Sequence, residues 1–108
     1  MTATIAELMS KMPNALIPEK AAGVDATIQF KFSGADAGEW FLTIKENKCQ
    51  VEQGTFPTPK MTLAVDSADY LKILSGELDG MQAFMQGKLK LTGDPSLAVK
   101  LMGMFKID

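Results

Sequence analysis

Five short segments of this chain alternate apolar and polar residues, and each has one apolar face: ATIQFKFS, EWFLTIK, CQVEQ, KMTLAVD and KLKLTG. In the first, Ile28, Phe30 and Phe32 share a side, with Thr27, Gln29 and Lys31 opposite. Trp40, Leu42 and Ile44 do the same in the second, Cys49 and Val51 in the third, Met61, Leu63 and Val65 in the fourth, and Leu89 and Leu91 in the fifth. A period of two places successive side chains on opposite faces of a strand. Strands with one polar face belong to a sheet that is covered on one side only, because a doubly covered sheet would read as continuous apolar runs. SGADAG and KENKCQ supply the turn chemistry between the first strands.

The cover has to come from helices, and the sequence marks several. Thr4 with Glu7 forms a capping box, and Ile5, Leu8, Met9 and Met12 make one face of a first helix that Pro13 is expected to end. Pro18 to Ala22 reads as a short helical turn closed by Gly23. Asp66 and Ser67 offer N-caps to a helix presenting Tyr70, Leu71, Ile73, Leu74 and Leu78. Asp79 can cap GMQAFMQG, and Asp94-Pro95 starts a last helix carrying Leu97, Ala98, Leu101, Met102 and Phe105. The expected order is helix, four strands, two helices, strand, helix. With 108 residues and no repeat or linker, residues 1–108 are expected to form one domain with a two-layer core.

The absences narrow the chemistry. The chain has no histidine, and all 11 of its positive charges are lysines. The commonest general base, the commonest metal ligand and the bidentate guanidinium fork are therefore missing. A net charge of −2 supplies no field for nucleic acid. Asp66, Asp79 and Asp94 are explained by capping, and Glu39, Glu46 and Glu52 fall on strand ends or polar faces. Lys88 and Lys90 read as a solvated face. Cys49 is a single thiol, so no internal disulfide forms, and its strand position makes it a buried, inert group in a reducing compartment. No apolar run approaches the ~18 residues of a membrane span, and the N-terminus lacks the pattern of a secretory signal. No glycine-rich phosphate loop is present. Neither catalysis, metal binding nor a cofactor is expected.

Soft apolar side chains are plentiful near the C-terminus. Met81, Met85, Met102 and Met104 lie on or beside two helices expected to face the sheet. Unbranched, polarisable methionines suit surfaces that fit more than one shape; plain core packing explains them as well. Gly103 either ends its helix early or leaves a gap where a ligand enters. Phe56, stiffened by Pro57 and Pro59, reads as a lid, an exposed membrane-touching tip, or a ring folded back on the core edge.

The segment MQAFMQGKLKLTGDPSLAVKL resembles the sterol carrier protein 2 family, whose pattern is an aromatic-containing helix ending Q-G-K-L-K-I-x-G and a small-residue-rich helix ending A-x-K-L. Gln86 to Gly93 and Ala98 to Leu101 match it nearly in full. Asp66 to Leu71, Ser75 to Leu78, and Trp40 with Leu42 and Ile44 follow in the family's order, so the likeness covers about residues 25 to 106. The resemblance implies an α+β fold: a five-stranded mixed, mainly antiparallel sheet covered on one face by helices, with an apolar tunnel between sheet and helices. It implies a carrier of sterols, fatty acids, fatty acyl-CoA or other long-chain lipids, not an enzyme. The implied tunnel wall is Trp40, Ile73, Leu74, Met81, Phe84, Met85, Leu91, Leu101, Met102 and Phe105, with Gln86 near a ligand head group.

Two departures qualify that likeness. The C-terminal Lys106-Ile107-Asp108 is not the short Ser/Ala-Lys-Leu address of peroxisomal members, so a cytoplasmic, free-standing carrier is expected. Without arginine, any acyl-CoA phosphate or carboxylate would meet lysines acting as point charges. A tunnel of ~300 Å³ left empty would cost about 7 kcal/mol at ~24 cal/mol per Å³, against ~5–15 kcal/mol of total domain stability. It is therefore expected to hold lipid, hold water, or close. The expected partners are a long-chain lipid and transient membrane contact, in a monomer or weak dimer that binds neither nucleic acid nor metal. The competing reading is an interaction or dimerisation module that meets an enzyme or a second copy through its apolar surface. An enzyme acting on acyl chains is disfavoured by the missing histidine and the lack of a carboxylate pair.

Overall fold

The computed structural model describes residues 4–94, Ser96, Leu97 and Lys100, apart from the side chain of Leu74. The alternating segments are the strands. β1 (Ala26–Ser33), β2 (Gly38–Lys45), β3 (Lys48–Gln53), β4 (Met61–Asp66) and β5 (Leu89–Gly93) form one five-stranded sheet in the order β3-β2-β1-β4-β5. β1 pairs with β4 in parallel, and the other three pairings are antiparallel. The sheet is mixed, and the architecture is α+β.

Register carries the apolar positions into rows across the sheet. Phe30 stands opposite Trp40 on one side and Leu63 on the other, and Leu63 faces Leu91. A parallel row joins Val51, Leu42, Ile28 and Met61. A one-residue slip would turn every one of these side chains outward, so burial itself fixes the register. The β2–β3 hairpin turns on Glu46 and Asn47, both at positive φ (52° and 61°). This is the geometry of a two-residue turn whose twist matches that of the flanking strands.

Helix α1 (Ile5–Ala15), α2 (Ser67–Ser75) and α3 (Gly80–Met85) lie in chain order around this framework. Ile5, Met9 and Met12 of α1, Tyr70 of α2, Ala83 of α3 and Leu97 join the inward strand residues in one hydrophobic cluster. Capping matches the sequence. Thr4 Oγ1 accepts from the Glu7 amide, Asp66 from Ala68, Asp79 from Met81 and Asp94 from Ser96. The segment after α1 forms a 3₁₀ turn over Pro18–Ala21, followed by Gly23 at φ 80°.

Three expectations need correction. Pro13 does not end α1, which continues to Ala15. A proline inside a helix forfeits one backbone bond and costs roughly 3 kcal/mol. Running past it carries Leu16 into the core, and burying a leucine returns about 1.5–3 kcal/mol. The SGADAG connection does more than turn. It holds a 3₁₀ segment, Gly34–Asp36, whose Asp36 carboxylate accepts from the Ile5 amide at 2.7 Å, while the Asp36 amide donates to the buried Ser67 hydroxyl at 3.2 Å. The starts of α1 and α2 are thus tied together. The third correction concerns the outer face of the sheet, which is not wholly bare. The segment after β3 crosses it, where the Gly54 carbonyl and the Phe56 amide bond to the outward Gln29 side chain. Phe56 stacks there on Phe41, ring centroids 5.4 Å apart, on the side of the sheet away from the core.

Beneath that crossing sits Gln29, 1% exposed although it occupies an outward strand position. Its amide nitrogen donates to the carbonyls of Trp40 and Gly54, both at 3.0 Å, and its oxygen accepts from the Phe56 amide at 2.7 Å. Burying a carboxamide is tolerable only when its groups are satisfied in this way.

Candidate functional site

The site is assembled from the apolar face of the sheet and the helices laid on it. Trp40 on β2, Ile73 on α2 and Leu91 on β5 are half-buried and pack against the core. Trp40 and Leu91 belong to the same row across the sheet, with Phe30 and Leu63 between them. The structure therefore brings three of the expected wall residues onto one apolar layer.

α3 is oriented differently from its neighbours. Its buried residue is Ala83, at 0% exposure, whereas Met81, Phe84 and Met85 are 49%, 46% and 78% exposed. On a helix, residues four apart share a face, so Met81 and Met85 align roughly opposite Ala83 with Phe84 beside them. The small alanine lets α3 sit close against β5, and the large side chains form the rim of the layer. Gln86, the C-cap of α3, is exposed on the same rim. Leu101, Met102 and Phe105, together with Gly103 and most of the last expected helix, lie outside the described residues. Ser96 and Leu97, which open that helix, are helical, and Leu97 is buried.

An aromatic cluster beside this layer escaped the sequence reading. The Tyr70 ring lies 5.9 Å from Phe30 in an edge-on arrangement and 5.1 Å from Phe32. Such contacts are worth ~0.5–1.5 kcal/mol beyond area burial. Burial, with a smaller contribution from Cys49, pushes the Tyr70 hydroxyl well above its ordinary range. Tyr70 thus remains a neutral hydroxyl inside an apolar layer. The available signal was its place four residues after the Asp66 cap, on the inward face of a one-turn-old helix. Burial also pushes the Cys49 thiol up to about 12. It is a packed apolar group without nucleophilic character at neutral pH.

Among the described residues, no cluster of Cys, Asp and Glu side chains could hold a metal ion. None of the described helices is long and apolar enough to cross a membrane. The arrangement offers apolar contact, one buried phenol and an exposed rim.

A family model for the SCP-2 sterol transfer family matches residues 5–106. The chain belongs to this family. Membership supports lipid binding and transfer as the general class of activity. Hydroxysteroid dehydrogenase-like protein 2 of Xenopus laevis is 39% identical over 85 residues, 77% of this chain and 20% of that protein. Its Mus musculus counterpart is 37% identical over 101 residues, 90% of this chain and 20% of that protein. The chain spans about a fifth of the length of these curated relatives. Among solved structures, sterol carrier protein 2 like 2 of Aedes aegypti superposes with a TM-score of 0.74 at 30% identity, covering 92% of this chain and 90% of that one. The sec-alkylsulfatase Pisa1 of Pseudomonas superposes with a TM-score of 0.86 over 98% of this chain and 17% of its own, at 22% identity, which shows a shared fold alone.

Proposed function

We propose that residues 1–108 form one non-enzymatic carrier that binds a long-chain lipid between sheet and helices and passes it on. The ligand class is fatty acid, fatty acyl-CoA, phospholipid or a sterol-like molecule. The observation that carries this is the apolar layer on which Trp40, Ile73 and Leu91 meet, with the soft rim of Met81, Phe84 and Met85 beside it. In this reading Leu74, Leu101, Met102 and Phe105 complete the wall, and Gln86 lies near the polar head. A palmitated SCP2L2 of Aedes aegypti, 27% identical with a TM-score of 0.75, supports a straight acyl chain as one ligand. Binding is driven by burial of the chain, at ~0.8 kcal/mol per methylene. The reducing cytoplasm suits a protein with a single unpaired thiol, and the expected state is a monomer or weak dimer.

A second reading is favoured by one finding: in longer relatives the matching region is only about a fifth of the protein. There it would act as a module that associates with an enzyme or delivers substrate to it. Purification without detergent, followed by solvent extraction and mass spectrometry, separates the two. Stoichiometric long-chain lipid in the extract supports the carrier. A clean extract from folded protein, with a mass that grows with concentration, supports the module instead.

A further inference from the structure

Among the described residues the methionines fall into two sets. Met9, Met12 and Met61 sit in the core at 2% exposure or less, whereas Met81 and Met85 are 49% and 78% exposed. The exposed pair lies on α3, four residues apart and so on one face of the helix. The backbone that presents them is well fixed. The Asp79 carboxylate accepts from the Met81 amide at 2.8 Å, and the amides of Ala83 and Gln86 donate to the carbonyls of Asp79 and Gln82, both at 2.9 Å. A thioether open to water meets an oxidant directly, whereas one in the core is reached only when the structure opens. Glu77, Asp79 and Lys88 are exposed nearby in the chain. Hydrogen peroxide is neutral, so these charges neither draw it in nor exclude it.

We infer that Met81 and Met85 form a reversible sulfoxidation site, and that their oxidation loosens α3 from the apolar layer. The reaction is oxygen transfer from a hydroperoxide, with hydrogen peroxide as the simplest case. A lone pair on the methionine sulfur attacks one peroxide oxygen. The O–O bond breaks as the S–O bond forms, and the proton on the transferred oxygen passes to the departing hydroxide, which leaves as water. Sulfur is oxidised and peroxide reduced by the same two electrons, and no further reactant is needed. The product is polar and chiral where the thioether was apolar and flexible. Met85 carries its oxygen in water at little cost to packing. Met81 does not, because about half of its side chain is covered and a sulfoxide there forfeits that apolar contact. Little else holds α3, which spans six residues with Ala83 its one buried side chain and Phe84 half-covered. Losing half of a methionine's burial corresponds to a roughly three- to tenfold rise in the opening of α3. In the carrier reading, which the inference needs only for its purpose, the oxidised protein gives up its lipid sooner.

The test treats the full chain with dilute hydrogen peroxide at neutral pH and follows its tryptic peptides by mass spectrometry. The chain has no arginine, so cleavage falls after lysine alone, and peptide 73–88 holds Met81 and Met85 and no other methionine. Met12 and Met61 fall in separate peptides. Peptide 73–88 is expected to gain two oxygens, the one on Met85 first, about tenfold or more faster than Met12 and Met61 gain theirs. Hydrogen exchange then reads the Ala83 and Gln86 amides. They should exchange roughly three- to tenfold faster in the oxidised protein, with β1 unchanged, and return to the starting rate after treatment with methionine sulfoxide reductases for both epimers. M81L/M85L removes both sulfurs at nearly constant volume, and its α3 should exchange alike with and without peroxide. Oxidation of Met12 or Met61 as fast as Met81 overturns the inference, as does an oxidised α3 that exchanges no faster. So does an M81L/M85L protein that loosens as much as the parent, which would place the effect on another methionine. Neither readout uses a lipid, so an empty solvent extract removes the carrier reading alone and leaves the oxidation site standing.

Discussion

Replacing Gln29 with leucine tests the account of the outer face at its most specific point. Gln29 reaches three backbone partners at 2.7–3.0 Å: the Trp40 and Gly54 carbonyls and the Phe56 amide. Leucine fills much of the same volume and satisfies none of them. Leaving a buried backbone group unpaired costs ~1–3 kcal/mol each. The Gly54 carbonyl and the Phe56 amide depend on the glutamine most directly. If the crossing segment stays in place, the loss is therefore about 2–6 kcal/mol, held to the lower half of that range by the apolar burial the leucine gains. If it lifts to let water in, the Phe41–Phe56 stack goes with it, at ~0.5–1.5 kcal/mol plus the burial of the ring. Both routes converge on about 3 kcal/mol. At ~4–6 °C per kcal/mol for a domain of this size, the melting temperature should fall by roughly 12–18 °C. Scanning calorimetry reads that fall, and limited trypsin digestion at Lys60 reports whether the segment has lifted. A Gln29→Leu protein within 1 kcal/mol of the parent, with Lys60 equally protected, would refute the claim that this carboxamide anchors the crossing.

Four further expectations follow from the same structure. Cys49 titrates near 12 in the folded protein against 9.0 ordinarily, so the unfolded chain loses this proton first. The associated stability is whole below pH 9 and drains as pH rises toward 12; Tyr70 acts in the same direction, and a Cys49→Ala variant should show a shallower alkaline decline in denaturant titrations. The thiol should also resist a disulfide reagent at pH 8 until the chain is unfolded. Gly93 sits at φ 109° with Lys60 and Met61 backbone atoms where a Cβ would go, so Gly93→Ala should cost more than 2 kcal/mol, combining positive-φ strain with a backbone clash, as read by urea unfolding. Saturating palmitate at 100 times its dissociation constant should add about 2.7 kcal/mol and raise the melting temperature; a flat melting temperature despite saturation would argue against an interior site.

Where a residue's role followed from its near neighbours in sequence, it was legible. Strand positions came from a period-two pattern that water enforces at every step, and the caps came from Thr4, Asp66 and Asp79, each bonded within three residues. The Glu46-Asn47 turn belongs to the same class. Roles set by distant partners were hidden. Gln29 looked like any polar residue on a solvated face until a segment 25 and more residues away covered it. Asp36 gave no sign that Ile5 and Ser67 would both be its partners. Pro13 was read by its local rule, and the burial of Leu16 offsets much of the cost behind that rule. α3 was the subtlest case. Its methionines and phenylalanine looked inward-facing, but on a helix of six residues one tight contact chooses the face. Ala83 fits against β5 where a methionine would not.

That choice bears on how a lipid could be admitted. The described core is closely filled, with Ile28, Phe30, Leu42, Ile44 and Met61 all at 1% exposure or less. Space for a long chain would have to come from displacing cover, and the covers are held unequally. α1 buries Ile5, Leu8, Met9 and Met12, whereas the buried residue of α3 is Ala83 alone. Burying one methyl or methylene is worth ~0.8 kcal/mol, so the four fully buried large side chains of α1 hold it more firmly than Ala83 and the half-covered Met81 and Phe84 hold α3. A helix of six residues has almost no stability of its own either. A lipid of sixteen carbons would bring about 12 kcal/mol of methylene burial, far more than displacing α3 forfeits and comparable with displacing α1. In the carrier reading α3 is therefore, of these two helices, the one a lipid displaces at the lower cost.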